Sequence, residues 1–208
     1  MLVLAFDTCM DKMYVSLVKD NVNLTSVAIP YEGMQTRSPR LLQTIREMLL
    51  DNNLTFSELN LIATSVGPGG FTAIRTCMTV ARVMAQELEK KLIGVTSFEI
   101  LQSLPIDYKN KKIMVALDAR RDSAYVAIDN EIKGIVLLED LKNDIANNDY
   151  FLITDNKLHP ILGGVSYQEL NYNLGETIAK IAVEKSKTEN GDWGKLTPLY
   201  LASPANAK

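Results

Sequence analysis

The order of strand-like and helix-like segments predicts an α/β fold made of two tandem halves, the second of them abbreviated. Short apolar runs rich in β-branched residues alternate with stretches of helical periodicity along the 208 residues, which is typical of α/β proteins. Near residue 70 a buried strand leads through a glycine-rich turn into a helix. The opening pattern of a strand, a turn with aspartate and a second strand recurs after residue 112. This recurrence predicts that the second half is a shortened copy of the first.

The first half begins with three predicted strands, at 2–7, 13–18 and 24–29. Their short spacing and turn-forming separators favour an antiparallel meander. A helix is predicted over 38–51, because Ser38 at its start is suited to the N-cap and the following proline to the first helical position. A sheet that begins with three adjacent strands and then a helix is therefore expected.

The centre of the first half is a strand at 61–66 that feeds a glycine turn and a helix over about 71–86. Gly67, Gly69 and Gly70 lack a Cβ atom and adopt positive φ without strain. The turn is not a Walker loop, because no Gly-Lys-Ser/Thr follows, and it lacks the spacing of a dinucleotide-binding fingerprint. Two interpretations stay open: an anion site at the helix N-terminus, or a tight connection that lets strand and helix pack closely.

A strand at Lys91–Val95 and a short helix capped by Thr96 or Ser97 complete the first half. The order of three strands, helix, strand, helix, strand, helix is that of an actin-like (ASKHA, ribonuclease-H-like) domain. The predicted domains are therefore residues 1–105 and a shortened second copy at 106–208. In this second copy, strands are predicted at 113–117, 124–128, 132–138 and 150–154, and helices at 139–147 and from Asn171 or Asn173 to about 187.

Composition limits the classes of function. The chain is 47% apolar and 23% charged, as expected of an ordinary soluble globular protein. A net charge of -3 and a pI near 5.3 argue against a protein that coats nucleic acid, since such modules carry a basic excess. No run approaches the roughly 20 apolar residues of a membrane helix, and no basic segment precedes an apolar one at the N-terminus. The predicted location is cytoplasmic.

Two aspartates at strand ends are the candidate groups for phosphate chemistry. Asp7, followed by Thr8, ends the first strand, and Asp118 ends the strand that opens the second half. Enzymes of the actin-like superfamily meet phosphate and its metal at these places, which favours a kinase or ATPase. An aspartate at a strand end is equally typical of a turn bonded to its own backbone. The short second half also lacks the glycine-rich adenosine-binding segment expected there.

The cysteine and histidine content argues against a disulfide scaffold or a zinc centre. Cys9 and Cys77 are the two cysteines, no Cys-x-x-Cys occurs, and His159 is the single histidine. Cys77 is predicted to be a small packing residue in the helix after the glycine turn, and His159 to lie in a surface loop. Serine or cysteine catalysis needs a base that a third group positions. No catalytic residue and no metal ligand is therefore predicted.

The amino-acid sequence of the glycine turn resembles the signature of a known protein family. The stretch Val-Gly-Pro-Gly-Gly-Phe-Thr-Ala-Ile-Arg at 66–75 resembles the Gly-Pro-Gly-Ser-Phe-Thr-Gly-Leu-Arg signature of the bacterial TsaB (YeaZ) family of tRNA threonylcarbamoyladenosine biosynthesis proteins. Segments 4–8, 94–99, 117–121 and 198–201 are similar to further landmarks of that family, in the same order. The resemblance thus spans nearly the whole chain.

The resemblance implies a non-catalytic partner and activator of the TsaD subunit in tRNA N6-threonylcarbamoyladenosine modification, at the adenosine next to the anticodon. The implied partners are TsaD in a heterodimer, the ATPase TsaE in a ternary assembly, and a second copy of the chain when TsaD is absent. tRNA is reached only through the complex. No nucleotide is expected on the chain alone, and ATP or ADP is expected at the junction with TsaD. The alternative is a free-standing ATP-dependent kinase or ATPase of the same superfamily.

A comparison with the catalytic relatives supports the non-catalytic hypothesis. Those relatives hold a metal with two histidines on the helix after the first three strands, where nitrogens at i and i+4 face one ion. Residues 36–42 contain no histidine here, and the family's own His-Ser pair is replaced by Arg37-Ser38. A histidine-ligated metal is therefore not expected in this chain.

The resemblance also assigns candidate site residues. The helix after the glycine turn carries apolar residues on more than one side, which indicates either a partner helix or a core on both sides. In the TsaB family this helix and the helix predicted over 38–51 form the interface with TsaD. The candidate interface residues are Leu42, Ile45, Arg75, Met78, Arg82 and Val83, and the candidate nucleotide-proximal turn comprises Asp7, Thr8, Gly67, Gly69 and Gly70.

Overall fold

A computed structural model describes residues 1–31 and 37–201, with the backbone alone at residues 37 and 38. The chain divides into two compact units. Unit 1 comprises Met1–Ile100 and Asn173–Leu199, and unit 2 comprises Leu101–Tyr172 with the chain after Leu199. Among the described residues, no helix combines the length and the apolar character needed to cross a bilayer.

Unit 1 is built on a five-stranded mixed sheet. Strand β2 is antiparallel to both β1 and β3, whereas β4 runs parallel to β1 and β5 runs parallel to β4, which gives the order β3-β2-β1-β4-β5. The strands are β1 Leu2–Asp7, β2 Lys12–Lys19, β3 Val22–Pro30, β4 Leu61–Ser65 and β5 Lys91–Val95. The first helices are α1 Arg37–Asp51, α2 Phe71–Glu87 and α3 Ser97–Gln102, and Phe56–Glu58 forms a single 3-10 turn.

Unit 2 repeats this strand order. Its elements are β6 Lys112–Arg120, β7 Ser123–Ile128, β8 Glu131–Leu137, α4 Leu138–Asn147, β9 Tyr150–Thr154, α5 His159–Leu162, β10 Val165–Ser166 and a 3-10 turn at Tyr167–Glu169. The sheet order is β10-β9-β6-β7-β8. When the strands are counted within each unit, both sheets have the order 3-2-1-4-5. The predicted fold class, two tandem actin-like (ribonuclease-H-like) α/β halves with an abbreviated second half, is confirmed.

The last helix, α6 Leu174–Lys185, belongs to unit 1. Asn173 caps it by accepting a hydrogen bond from the Gly175 N–H at 3.0 Å. A Cβ atom at Gly175 would lie 2.4 Å from Ser16 Oγ on β2, so glycine permits this close approach to the sheet. This division differs from the predicted domains 1–105 and 106–208, because α6 buries its apolar side against the first sheet.

The core of unit 1 lies between one face of the sheet and helices α1 and α2. Alternate residues of each strand point to this face, and their apolar side chains pack against the apolar stripes of the two helices. The cluster includes Leu4, Phe6, Val15 and Leu17 from the strands, Leu41, Ile45 and Leu49 from α1, and Cys77, Ala81 and Met84 from α2. This packing fixes α2 over the carboxyl end of β1.

The sequence predicted the start of one helix correctly and that of another incorrectly, and it missed two short elements. The predicted cap of α3 is confirmed at Thr96, whose Oγ1 accepts from the Glu99 N–H at 3.0 Å while the Glu99 carboxylate accepts from the Thr96 N–H at 2.7 Å. The predicted N-cap at Ser38 is wrong, because α1 already begins at Arg37. Neither α5 nor β10 was predicted, since four and two residues are too few for a periodic pattern.

Candidate functional site

The carboxyl end of β1 buries an aspartate. Asp7 is fully buried, and its two carboxylate oxygens accept hydrogen bonds from the backbone N–H groups of Cys9 and Met10, each at 2.9 Å. Burial raises the pKa of Asp7 to about 6, although the two backbone hydrogen bonds act in the opposite direction. Asp7 is therefore a turn-forming carboxylate with an unusually high proton affinity.

Thr8 joins this strand end to helix α2. Its hydroxyl donates to the Ala73 carbonyl oxygen at 2.9 Å, and its backbone N–H donates to Cys77 Sγ at 3.0 Å. The Tyr31 hydroxyl in turn donates to the Thr8 carbonyl oxygen at 3.0 Å. These bonds hold the first turns of α2 directly over the end of β1.

The glycine turn is shaped by close packing within the chain. Gly67 has φ of +94°, and a Cβ atom there would lie 2.7 Å from Ile74 Cδ1. At Gly69 a Cβ atom would lie 3.0 Å from both the Cβ and the carbonyl oxygen of Cys9. Gly70 is the N-cap of α2 and would meet nothing closer than 3.8 Å. Of the two interpretations of the turn, the tight connection accounts for Gly67 and Gly69.

Ser97, at the start of α3, holds the glycine turn in position through two hydrogen bonds. Its backbone N–H donates to the Gly67 carbonyl oxygen and its hydroxyl to the Pro68 carbonyl oxygen, each at 2.8 Å. Leu199 N–H donates to the Val66 carbonyl oxygen at 2.8 Å. The turn is thus positioned by groups from two later segments of unit 1.

A thiol and carboxylate cluster lies beneath the turn. The carboxylate of Asp7 and the sulfur atoms of Cys9 and Cys77 lie within 4.8 Å of one another. Cys77 is buried and Cys9 is partly exposed. Sequence analysis predicted no metal ligands, because these residues are separated by up to 70 positions and follow no ligand spacing. The cluster exists because α2 crosses the end of β1.

The outward side of α2 presents a stripe of exposed residues. Phe71, Arg75, Thr79 and Val83 follow one another at four-residue steps and are all exposed, so they share one side of the helix. The Arg75 guanidinium lies 5.2 Å from the centre of the Phe71 ring, within the range of a cation–π contact. Val83 is 55% exposed. We call these four residues the α2 outer stripe.

The opposite sides of α2 belong to the core. The apolar residues on more than one side of this helix are Cys77, Met78, Val80, Ala81, Val83 and Met84, and five of these six are buried. The five buried residues are Cys77, Met78, Val80, Ala81 and Met84. The core therefore accounts for the additional apolar face, and Val83 is the member of that set that is open to a partner.

The candidate interface residues fall into three groups. Leu42, Arg75 and Val83 are exposed, whereas Ile45 and Met78 are buried among core side chains and do not reach the surface. Arg82 is half-buried, and its Nη2 donates to the Leu196 carbonyl oxygen within unit 1. Leu50 on α1 is a further exposed apolar residue that the sequence analysis did not single out.

Unit 2 presents a different strand end. Asp118 accepts a hydrogen bond from the Arg120 N–H at 3.0 Å and from Lys157 Nζ at 2.6 Å. His159 is the first residue of the short helix α5 and is half-buried, so the expected surface loop is replaced by a helix start. The Asp118 N–H donates to the Asp155 carboxylate at 2.7 Å, so this strand end brings two aspartates together with one lysine.

Comparisons with known proteins agree with the fold. A sequence model of the TsaD family, described as tRNA N6-adenosine threonylcarbamoyltransferase, matches residues 26–186. The tRNA threonylcarbamoyladenosine biosynthesis protein TsaB of Buchnera aphidicola subsp. Schizaphis graminum is 30% identical over 60% of this chain and 58% of its own length. The TsaB of Bacillus subtilis is 24% identical over 97% of this chain and 94% of its own length.

These matches differ in extent. The chain spans little more than half the length of the Buchnera relative and of the TsaB of Escherichia coli, 58% and 54%. The solved structure of YeaZ from Pseudomonas aeruginosa, at 21% identity and a TM-score of 0.76, covers 96% of this chain and 99% of that one, and shows the same fold. Because the family model covers more than half of the chain and the relatives carry the TsaB name, this chain belongs to the TsaD family of proteins and, within it, to the TsaB (YeaZ) members.

Proposed function

We propose that this chain takes part in tRNA threonylcarbamoyladenosine biosynthesis as the non-catalytic partner and activator of a TsaD subunit. The names of its relatives support the pathway. The observation that carries the partner role is the α2 outer stripe, because Phe71, Arg75 and Val83 are exposed along one side of a helix whose core-facing side is packed. Aromatic residues and arginine are enriched at protein–protein interfaces.

The neighbouring helix α1 extends the proposed surface. Leu42 and Leu50 are 44% and 61% exposed, and α1 packs beside α2. Exposed apolar side chains on two adjacent helices form a docking face for a partner helix pair. The proposed interface is therefore Leu42, Leu50, Phe71, Arg75 and Val83, without the buried Ile45 and Met78.

The non-catalytic part of the proposal rests on the side chains at the strand ends. Both oxygens of Asp7 are occupied by backbone N–H groups, and Gly69 packs on Cys9. This arrangement serves the turn itself. The two-histidine metal motif is missing from residues 36–42, so the chemistry is assigned to TsaD.

A non-catalytic partner activates by binding one conformation of its target more tightly than the others. In this proposal the chain stabilises the competent conformation of TsaD, TsaE joins as a third component, and tRNA is bound by the complex. ATP or ADP binds at the junction with TsaD and not to the chain alone. In the absence of TsaD the same apolar face pairs two copies of the chain.

The test is light scattering on the purified chain, alone and mixed with the TsaD of the same cell, with ATP binding measured by calorimetry on both samples. Val83→Glu is the interface variant, since a charge buried without a partner costs several kcal/mol. Val22→Glu is the matched control, because Val22 is also an exposed valine, 64% exposed, but lies on β3 of the same unit. A one-to-one complex that Val83→Glu abolishes and Val22→Glu retains supports the proposal.

The competing function is a free-standing ATP-dependent kinase or ATPase. It is favoured by Asp7 and Asp118, which lie near the ends of topologically equivalent strands. It predicts that the chain alone binds ATP and that Asp7→Ala removes this binding. Strong ATP binding without association with TsaD would replace the partner proposal with this one. An intact complex in Val83→Glu would overturn the interface while leaving the partner role in place.

A further inference from the structure

We propose that Asp7, Cys9 and Cys77 form a binding site for a thiophilic divalent cation of the zinc class. This site is separate from the proposed partner surface, since its ligands lie beneath the glycine turn and not on the α2 outer stripe. The three ligand atoms already lie within 4.8 Å of one another. They come from three places in unit 1: the end of β1, the turn after it, and the second turn of α2.

The spacing is close to that of a metal centre. Zinc binds sulfur at about 2.3 Å and carboxylate oxygen at about 2.0–2.2 Å, which separates tetrahedral ligand atoms by roughly 3.5 Å. Small rotations of the three side chains within the present backbone therefore suffice to enclose an ion. Because two ligands are thiolates, the site favours zinc, cadmium or cobalt over magnesium and calcium, which prefer all-oxygen sites.

Backbone and hydroxyl groups orient these ligands. Asp7 is held by the N–H groups of Cys9 and Met10, each at 2.9 Å. Cys77 Sγ accepts from the Thr8 N–H at 3.0 Å and lies 3.1 Å from the Thr8 hydroxyl. Such outer contacts fix the direction of metal ligands and stabilise their negative charge.

A metal ion at this cluster would not compete with a cationic side chain. Among the described residues, no lysine, arginine or histidine forms an ion pair with Asp7. A divalent cation would offset the ionised carboxylate and thiolates in this buried place. Cys9 is the one of the three residues that is partly exposed, so its side of the cluster is the one from which an ion would enter.

The experiment uses the full chain, treated with a chelator, reduced and kept under anaerobic conditions. Cobalt(II) is titrated while the near-ultraviolet thiolate-to-cobalt charge-transfer band is followed, and zinc affinity is measured by competition with a chromophoric chelator. The variants are Cys9→Ser, Cys77→Ala and Asp7→Asn. Asp118→Asn is the matched control, because Asp118 is also near a strand end but belongs to unit 2 and is not a member of the cluster.

The expected result is a charge-transfer band in the unmodified chain and at least a hundredfold weaker zinc binding in Cys9→Ser and Asp7→Asn, with Asp118→Asn unchanged. Zinc also raises the melting temperature of the unmodified chain and not that of Cys9→Ser, whose partly exposed position allows folding. Absence of the band, or equal affinity in Cys9→Ser and Asp118→Asn, would overturn the proposal. A disulfide that forms on oxidation in a chain without metal affinity would likewise overturn it and leave only a thiol pair.

Discussion

Asp7 in unit 1 and Asp118 in unit 2 lie near the ends of equivalent strands but have different surroundings. Asp7 is fully buried and held by two backbone N–H groups. The side chain of Asp118 is 19% exposed and forms an ion pair with Lys157 at 2.6 Å. The same strand order thus produces one fully buried and one partly exposed carboxylate.

The helix after the fourth strand explains this difference. In unit 1, β4 leads into the 17-residue α2, whose first turns are bonded to Thr8 at the strand end. In unit 2, β9 leads into the four-residue α5, which is too short to cover its strand end. The comparison teaches that sheet topology places an aspartate, whereas the following helix decides whether water reaches it.

The largest expected effect concerns the turn that brings α2 over β1. Gly67→Ala is expected to destabilise unit 1 by about 3 kcal/mol, because it combines positive φ with a Cβ atom 2.7 Å from Ile74 Cδ1. Gly134→Ala in unit 2 is the matched control: its φ is +88° but nothing lies within 4 Å, so backbone strain alone should cost about 1 kcal/mol. Urea unfolding followed by Trp193 fluorescence reports unit 1, and hydrogen exchange in β7 reports unit 2. Equal losses at the two glycines would contradict the steric explanation.

The second prediction concerns pH. Because the pKa of Asp7 is raised from 3.8 to about 6 on folding, the folded state binds its proton more tightly than the unfolded state. Stability from this group is therefore present at low pH and lost as the pH rises through about 6. The metal-free chain should gain roughly 2 kcal/mol between pH 7 and pH 4.5 relative to Asp7→Asn.

The measurement for this prediction is urea unfolding with a chelator present, across pH 4.5 to 7, in the unmodified chain and in Asp7→Asn and Asp118→Asn. The other carboxylates contribute equally to all three, so the difference isolates one group. Asp118→Asn should keep the pH dependence of the unmodified chain. An unchanged pH dependence in Asp7→Asn would show that burial does not govern this carboxylate.

A smaller effect is expected from the hydroxyl that ties β1 to α2. Thr8→Val keeps the side-chain shape but loses the buried hydrogen bond to the Ala73 carbonyl oxygen, which should cost about 1 kcal/mol. Ser123→Ala in unit 2 loses the bond to the carbonyl oxygen of Arg120, an exposed residue. Water can replace that bond, so Ser123→Ala should lower stability by about half as much as Thr8→Val. Chemical denaturation of both variants compares them, and a larger loss at Ser123 would reverse the contrast.

The smallest expected effect is at the ion pair of unit 2. The Lys157 side chain is 72% exposed, and exposed ion pairs contribute about 0.2–1 kcal/mol. Lys157→Ala should therefore lower stability by less than about 0.5 kcal/mol, and the difference should disappear in 1 M salt. A salt-independent loss above 1 kcal/mol would mean that Asp118 is as sequestered as Asp7.

Much of the fold could be predicted from the sequence because the signals are local. The bounds of β1, β5 and β9 match the predicted strands, and the helix after the glycine turn ends within a residue of its expected end. Alternation of apolar residues and helical periodicity depend only on neighbours in the chain. The short elements α5 and β10 were not predicted, because a periodic pattern needs more residues than they contain.

The candidate site could be predicted only in part. Gly67 and Gly69 were identified from the sequence, and the structure gives each a close contact that requires glycine. For the outer surface, the family resemblance assigned Met78 and Val83 alike to the interface, yet the first is 5% exposed and the second 55%. A helical stripe shows which residues share a side, but only the packing of α2 against the sheet shows which side faces water.

The sequence by itself determined the α/β class, the two halves, the strand–turn–helix unit and the family resemblance, because these depend on local patterns and short motifs. The tertiary structure decided that α6 joins the first sheet, that Asp7 is buried whereas Asp118 is not, and that Asp7, Cys9 and Cys77 meet. Such contacts join residues far apart in the chain, and they depend on how whole helices pack on a sheet. That packing is set by the combined burial of many side chains, which no single stretch of sequence records.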